Sequence, residues 1–260
     1  MTAEDLSSSS ITYGLNTSFI GQKVIYRPRL LSTMDAARLE VRRGAAGGTV
    51  IIAGEQTGGR GRMRRAWLSP PGNIALSIIL YPDIAGLPYL VMIASLAAAH
   101  GIERVTGLKT RLKWPNDILI NGKKVCGILI ENEVKANRVA YAIVGIGINV
   151  ALKASDIPGI SATATSLEDE LDRSVLRPDI IRPLLTEFER LYLLLPAGES
   201  IYAAWRDRLE TLGKRVEVRS GGDVLEGVAE SADESGALVL RCADGNLTRV
   251  VAGDVTLRHQ

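Results

Sequence analysis

An α+β fold, with a mixed β-sheet flanked by helices and a small β-barrel after it, is what the apolar patterning of this 260-residue chain predicts. Three observations carry that expectation. The runs TVIIA (49–53) and IALSIIL (74–80) are short, continuous and apolar, as buried strands are. Asn121-Gly122 lies between two further apolar runs, 117–120 and 125–130, and Asn-Gly in that setting signals a hairpin whose loop extends at most to Lys123. From Lys214 the texture changes to about five short alternating segments separated by Gly, Asp, Asn and Ser, the pattern of a small barrel.

Taken in order, residues 1–22 read as a loose leader, too few for a winged-helix DNA-binding domain. A catalytic-sized unit spans 23–212, and the barrel unit spans 213–260. A strand is expected at 24–31. Ser32-Thr33-Met34-Asp35 has the S-x-x-D form of a capping box and should start a helix that Gly44 and Gly47-Gly48 end. Pro88 opens a helix running through His100 to Gly101 or Gly107. Trp114-Pro115 must be extended or turning. A strand at 140–150 follows a turn at Asn137, and its Gly145 and Gly147 mark a bulge or a close approach by a ligand or another backbone. Helices are expected at 164–171, 179–195 and 199–212. Pro183 either kinks the second or marks its start, and Trp205 packs in the core with Tyr202 and Leu209.

Composition excludes several classes. Apolar residues make up 46% of the chain, enough for a packed core, and 31 basic against 29 acidic residues leave no global signature of nucleic-acid binding. Cys126 and Cys242 lack metal-ligand spacing and read as reduced core or strand thiols of a cytoplasmic protein. His100 and His259, the only two histidines, leave little room for a zinc site or a Ser–His pair. No secretory h-region is present, and no apolar run reaches the roughly 20 residues of a membrane helix.

The chemistry concentrates in GEQTGGRGRMRRAW, Gly54 to Trp67, which follows a strand and holds four arginines. Glycines there expose main-chain N–H groups, and guanidinium forks match carboxylate and phosphate oxygens. Alone, the stretch reads equally well as a solvated basic loop, a nucleic-acid-binding arginine-glycine segment, or an anion site. Ser32 and Thr33 read locally as helix caps, and WPND as a plain turn with a packed tryptophan.

The order GRGR, then KWPND (113–117), then GKKVCGILIE (122–131), then GIGIN (145–149) resembles the biotin protein ligases, over residues 24 to 258. That resemblance implies a class II synthetase-like catalytic domain followed by an SH3-like C-terminal domain. It implies an enzyme that activates biotin with ATP and Mg²⁺ as biotinyl-5'-adenylate and transfers it to a lysine of a biotin carboxyl carrier protein. On matched positions, Arg62, Lys124 and Asp117 are the catalytic candidates, with Asp117 directed at the incoming amine. Ser32, Thr33 and Gln56 would touch biotin. Arg60, Gly61, Arg65, Trp67, Lys113, Asn116, Gly127 and Asn149 would hold the rest of the adenylate or its phosphates. Met34 stands where the family often has Asn, and Arg64 where it commonly has Gly, which should stiffen the loop.

With Glu55 as their only nearby acid in sequence, the arginines imply that residues 58–66 are flexible until ligand orders them. No nucleic acid or membrane is expected as a partner, and a sheet edge offers a route to a homodimer. A lipoate-type ligase, lacking here its arginine-glycine-histidine pattern, and an arginine-rich nucleic-acid regulator are the alternatives.

Overall fold

The computed structural model describes residues 6–220 and 223–257. In chain order its first part holds α1 (Ser8–Thr12), β1 (Val24–Leu30), α2 (Thr33–Arg42), β2 (Val50–Gln56), β3 (Ile74–Leu80), α3 (Tyr89–Thr106), β4 (Arg111–Lys113), β5 (Asp117–Ile120), β6 (Lys123–Lys135), β7 (Arg138–Ile148), α4 (Leu167–Leu171), α5 (Arg177–Leu193) and α6 (Gly198–Arg206). The second holds β8 (Arg215–Ser220), β9 (Asp223–Ala232), β10 (Leu238–Arg241), β11 (Leu247–Val250) and β12 (Asp254–Leu257). Strand order is β1-β2-β3-β7-β6-β5-β4 in the first sheet and β11-β10-β9-β8-β12 in the second. Only β1 and β2 run parallel; the other pairings are antiparallel. The expected α+β architecture is therefore present, with an antiparallel β unit at the C-terminal end.

The central strands are apolar throughout because both faces of the sheet are covered. Val50, Ile52, Ile78 and Leu80 join the core that includes α3 and α5, whereas Ile51, Ile79 and Ile143 join Met34 and Ala37 of α2 on the opposite face. All seven residues of β3 are buried. The β5–β6 hairpin closes with Asn121 at φ 50° and Gly122 at φ 77°, the two positive φ values a tight two-residue turn requires, and Ile120 pairs with Lys123. A second such turn, Ala136-Asn137, lets β6 continue to Lys135, beyond the apolar run that ends at Ile130.

Several expectations are corrected. The leader is not loose from Leu6 onward: Leu6, Ile11 and Ile20 are buried, and Glu189 of α5 accepts hydrogen bonds from the backbone N–H groups of Ser18 (2.6 Å), Phe19 (2.8 Å) and Ile20 (2.8 Å). Its first five residues, like His259, lie outside the described residues. No reciprocal capping box forms on α2. Ser32 Oγ accepts from the Met34 N–H, but Asp35 is drawn to Arg60 and Arg38. The helix expected from Ala164 starts at Leu167, because Lys124 and Ala164 pair as a β-bridge. The last helix stops at Arg206, since residues 208–210 bond Leu112 and cover the edge of β4. α5 runs through Pro183 from an earlier start at Arg177.

Trp114 joins the two units. Its backbone N–H donates to Thr211 Oγ1 (2.9 Å), and its indole N–H donates to the Gly236 carbonyl (2.7 Å). The Trp114–Pro115 bond is cis. No described helix is long and apolar enough to cross a membrane.

Burial alone would raise the Glu189 carboxyl pKa, but the backbone N–H groups outweigh it and hold the value below the usual range. A depressed native pKa contributes stability above the unfolded value and loses it as pH falls through the native one. Glu189→Gln should therefore destabilise the fold at pH 7 by about 1–3 kcal/mol, the cost of buried donors left unpaired. In urea titrations the gap to the parent chain should narrow as pH falls through the depressed native pKa and the parent carboxylate is also neutralised.

Candidate active site

A cleft opens where the N-terminus of α2, the 57–66 loop and the glycine-bearing segments of β6 and β7 meet. One wall is polar and preset. Gln56 Oε1 accepts from the Thr33 N–H (2.8 Å) and Thr33 Oγ1 (3.0 Å), and Ser77 Oγ donates to Thr33 Oγ1 at 2.8 Å. Helix capping and cleft lining are thus one arrangement, because the same atoms satisfy the orphan donors of α2 and fix the wall.

The floor is glycine because side chains pass directly over it. A Cβ on Gly147 would stand 2.5 Å from the Trp67 ring, and one on Gly145 would stand 2.6 Å from Met34 Sδ. On Gly127 it would meet Trp67 at 3.0 Å and Lys124 Cε at 3.2 Å. These glycines therefore accommodate an approaching tryptophan and methionine; β3 and β6 pair with β7 through Gly145 and Gly147 without a register shift. Lys124 Nζ lies 5.3 Å from the Trp67 ring centroid, close enough for attraction to the π-face.

Four cations gather at one end. Lys124 Nζ is 2.6 Å from Asp117 Oδ1, an ion pair off the hydrogen-bonding direction. Arg62 Nη1 donates to Asn116 Oδ1 (3.3 Å) and to the Gly253 carbonyl (3.1 Å). Arg65 pairs with Asp254. Lys113 stands opposite Asp117 in the β4–β5 register. Burial is the main cause that lowers the pKa of both Arg62 and Lys113; Asp117 opposes it, and neighbouring cations add to it. Facing these four cations are Asp117, Asp254 and, beside Lys113, a Glu210 that also pairs with Lys214, so an excess of positive charge remains that an anionic ligand would relieve.

Arg60 belongs to a different group. Its Nη1 and Nη2 donate to Asp35 Oδ2 (2.6 Å) and Oδ1 (2.8 Å), and its Nε donates to Glu131 Oε1 (3.3 Å). Arg38 bridges the same two carboxylates, at 2.9 Å to Asp35 and in a short contact to Glu131. Hydrogen bonding from Arg60 holds the Asp35 carboxyl below its usual range. The expectation that the loop arginines, with only Glu55 near them in sequence, find their partners in ligand oxygens alone is corrected: Glu55 pairs with Arg29, and Arg60 and Arg65 find acids far away in sequence. Met63 (φ 53°) and Arg64 (φ 59°) both adopt the left-handed conformation, so the tip keeps a backbone suited to glycine despite its side chains.

Of the residues singled out from sequence, Ser32, Thr33 and Gln56 line the cleft, as do Arg60, Gly61, Arg62, Arg65 and Trp67, and Asn116, Asp117, Lys124 and Gly127. Lys113 stands behind this lining. Asn149 is buried with its Nδ2 donating to the Thr165 carbonyl (3.0 Å), so it anchors the following segment and does not line the cleft. Sequence reasoning missed Asp35 and Glu131 as partners of Arg60, and missed Gly253 and Asp254. A Gly-Asp pair before a short strand is an ordinary turn, and no local signal distinguished it.

The Biotin/lipoate A/B protein ligase family matches residues 26–149, and the Biotin protein ligase C terminal domain matches residues 211–258. The "Bifunctional ligase/repressor BirA" of Bacillus subtilis is 37% identical over 258 residues, covering 97% of this chain and 79% of that protein. The "Biotin--[acetyl-CoA-carboxylase] ligase" of Paracoccus denitrificans is 35% identical over 216 residues, 80% of this chain and 90% of the other. Among solved structures, the biotin protein ligase from Aquifex aeolicus in complex with biotin and ATP superimposes with a TM-score of 0.78 at 27% identity, over 92% of this chain and 100% of that one.

The tryptophan-on-glycine contact supplies a test of the cleft. Gly147→Ala should leave the sheet folded but displace Trp67, because a Cβ 2.5 Å from the ring cannot coexist with it. Acrylamide should then quench a larger share of the fluorescence, with Trp114 and Trp205, each 1% exposed, still protected. Unchanged quenching would show that Trp67 does not lie over Gly147.

Proposed function

The chain belongs to the Biotin/lipoate A/B protein ligase family, and on that premise we propose that it is a cytoplasmic enzyme that joins biotin to a carrier protein in two ATP-driven steps. In the first, a biotin carboxylate oxygen attacks the α-phosphorus of ATP, giving biotinyl-5'-adenylate and releasing pyrophosphate. In the second, a lysine amine of a biotin carboxyl carrier protein domain attacks the acyl carbon; the amide forms, AMP leaves, and the amine gives up its proton. Relatives named for biotin ligation and a neighbour solved with biotin and ATP support this reading.

The observation that carries it is the excess of positive charge beside a preset polar wall. A carboxylate approaching a polyphosphate meets repulsion of about 4 kcal/mol per unit pair at 4 Å and an effective dielectric near 20. Arg62 and Lys124, already gathered at the cleft before substrate arrives, replace that repulsion with attraction. Arg65 serves the outer phosphates. The Thr33–Gln56 wall receives the biotin ring system, with Met34 contributing a thioether where an amide would otherwise stand.

Asp117 occupies a coupled position. While the cleft is empty it neutralises Lys124. Anionic ligand oxygens compete for that ammonium, and as they draw Lys124 away the carboxylate is released to orient and deprotonate the acceptor amine. That assistance matters, because a free lysine with a pKa near 10.4 is almost wholly protonated at neutral pH. No cluster of three metal-binding side chains occurs among the described residues. Mg²⁺ fits this site as a companion of the triphosphate, where it would offset phosphate charge; the protein groups bind and orient.

The direct test is exchange of labelled pyrophosphate into ATP. Exchange should require biotin and fail with lipoate; lipoate dependence, or salt-sensitive oligonucleotide binding without exchange, would overturn the proposal. Arg62→Ala and Lys124→Ala should each slow exchange by about 100-fold or more, the scale of losing a preorganised donor. Rates within a few-fold of the parent would remove these residues from the reacting centre. Asp117→Asn should depress transfer to the carrier lysine more than exchange, whereas equal loss in both assays would make Asp117 a structural or ATP-site group.

A further inference from the structure

The ring of charges around Arg60 is built unlike the rest of the cleft. Two guanidinium groups and two carboxylates alternate in a closed circuit, Arg60 to Asp35 to Arg38 to Glu131 and back, so the group is neutral within itself. It joins three separate elements. Asp35 and Arg38 lie on α2, Glu131 lies on β6, and Arg60 lies in the 57–66 loop. All three kinds of nitrogen in the Arg60 guanidinium donate to these carboxylates. Arg62, by contrast, has only neutral hydrogen-bond partners among the described residues.

We propose that Asp35, Arg38 and Glu131 are positioning residues that clamp Arg60 and so preset the glycine-arginine loop for its substrates. The proposal rests on the ligase reading above and deepens it by separating the arginine that holds the loop from those that hold the anions.

The backbone shows how one clamp governs the whole loop. Arg60 and Ala66 form an antiparallel bridge, the Trp67 N–H donates to the Gly59 carbonyl (2.9 Å), and the Gly61 N–H donates to the Arg65 carbonyl (2.8 Å). Both limbs of the loop are thus tied together at their base, and the turn carrying Arg62, Arg64 and Arg65 projects from that base. Fixing Arg60 fixes the base. Asp35 also lies two residues beyond Thr33, whose N–H and hydroxyl bond Gln56. The polar wall and the loop therefore share one frame, anchored at the first turn of α2.

An isolated exposed ion pair would be too weak for this task. Here Arg60 holds Asp35 in a bidentate fork, and each carboxylate serves two guanidiniums, so the geometry is enforced from both sides. A frame preset in this way lowers the ordering entropy that substrate must supply, and the benefit appears as tighter binding of substrate. The readout is accordingly KM more than kcat.

The test is the Asp35→Asn/Glu131→Gln double variant, which keeps side-chain size and removes both negative charges. Limited trypsin digestion without ligand should cut after the loop arginines about tenfold faster than in the parent, the scale expected when a local opening equilibrium shifts by a factor of ten. With biotin and ATP, KM should rise about tenfold while kcat stays within about threefold, the pattern of lost binding with the reacting groups intact. Asp35→Glu, which retains the charge, should recover part of the protection. Glu40→Gln, which breaks the exposed Glu40–Arg43 pair on the same helix, should change neither readout. A double variant cut no faster than the parent overturns the clamp whatever the substrate, and faster cutting with unmoved KM overturns its role in positioning. If the parent enzyme shows no biotin-dependent exchange, the ligase reading fails by itself while proteolysis still decides the clamp.

Discussion

Mutually repelling cations must be kept close together without ligand, and much of the site can be understood as the means of doing so. Arg62, Arg65, Lys113 and Lys124 cannot be brought together free of cost, and Asp117, Asp254 and the Lys214-paired Glu210 balance them only in part. Desolvation raises the cost for Arg62 and Lys113, which is why burial depresses both. The fold offsets this strain with the rigid sheet beneath the site and its apolar core on two faces. What remains uncompensated is latent affinity for anions.

The contributions of the second unit follow from the same constraint. Arg62 reaches the Gly253 carbonyl and Arg65 reaches Asp254, so the start of β12 and the residue before it supply one carboxylate and one carbonyl to a site built mostly by the first unit. Trp114 fixes that relationship through Thr211 and Gly236. The KWPND block therefore has two tasks within five residues: its tryptophan holds the C-terminal unit in place, and its Asn116 and Asp117 face Arg62 and Lys124.

What could be read from the sequence was whatever neighbouring residues determine. Asn121-Gly122 announces its own turn, TVIIA and IALSIIL reveal that their strands are covered on both sides, and Gly107 ends α3 in the left-handed conformation. The motifs placed twelve of the predicted residues on the cleft lining. What escaped was non-local. Arg60 pairs across 25 residues with Asp35 and across 71 with Glu131; such partners carry no pattern in a single chain. Asp35 could be read only as a capping acid, and the stronger attraction of Arg60 took it from that role. The last helix was drawn too long for a similar reason. Its periodicity continues past Arg206, but residues 208–210 are needed to satisfy the open edge of β4.

These separations also explain the division of labour among the arginines. A loop that must reach anions cannot be held by the groups that bind them, since each anchor would compete with the ligand. Arg60 resolves the conflict by spending its donors on Asp35 and Glu131. Among the described residues Arg62 keeps only neutral acceptors, an amide oxygen and a carbonyl, which a carboxylate or phosphate oxygen can displace readily. Between them stands Gly61 in an extended conformation (φ −102°), and the two neighbouring side chains part company, Arg60 toward α2 and β6 and Arg62 toward Asn116 and Gly253. On the proposed function, GRGR is then a mechanical device as much as a binding motif: one arginine is held by the carboxylates of the scaffold, and the next keeps acceptors that a substrate anion can displace.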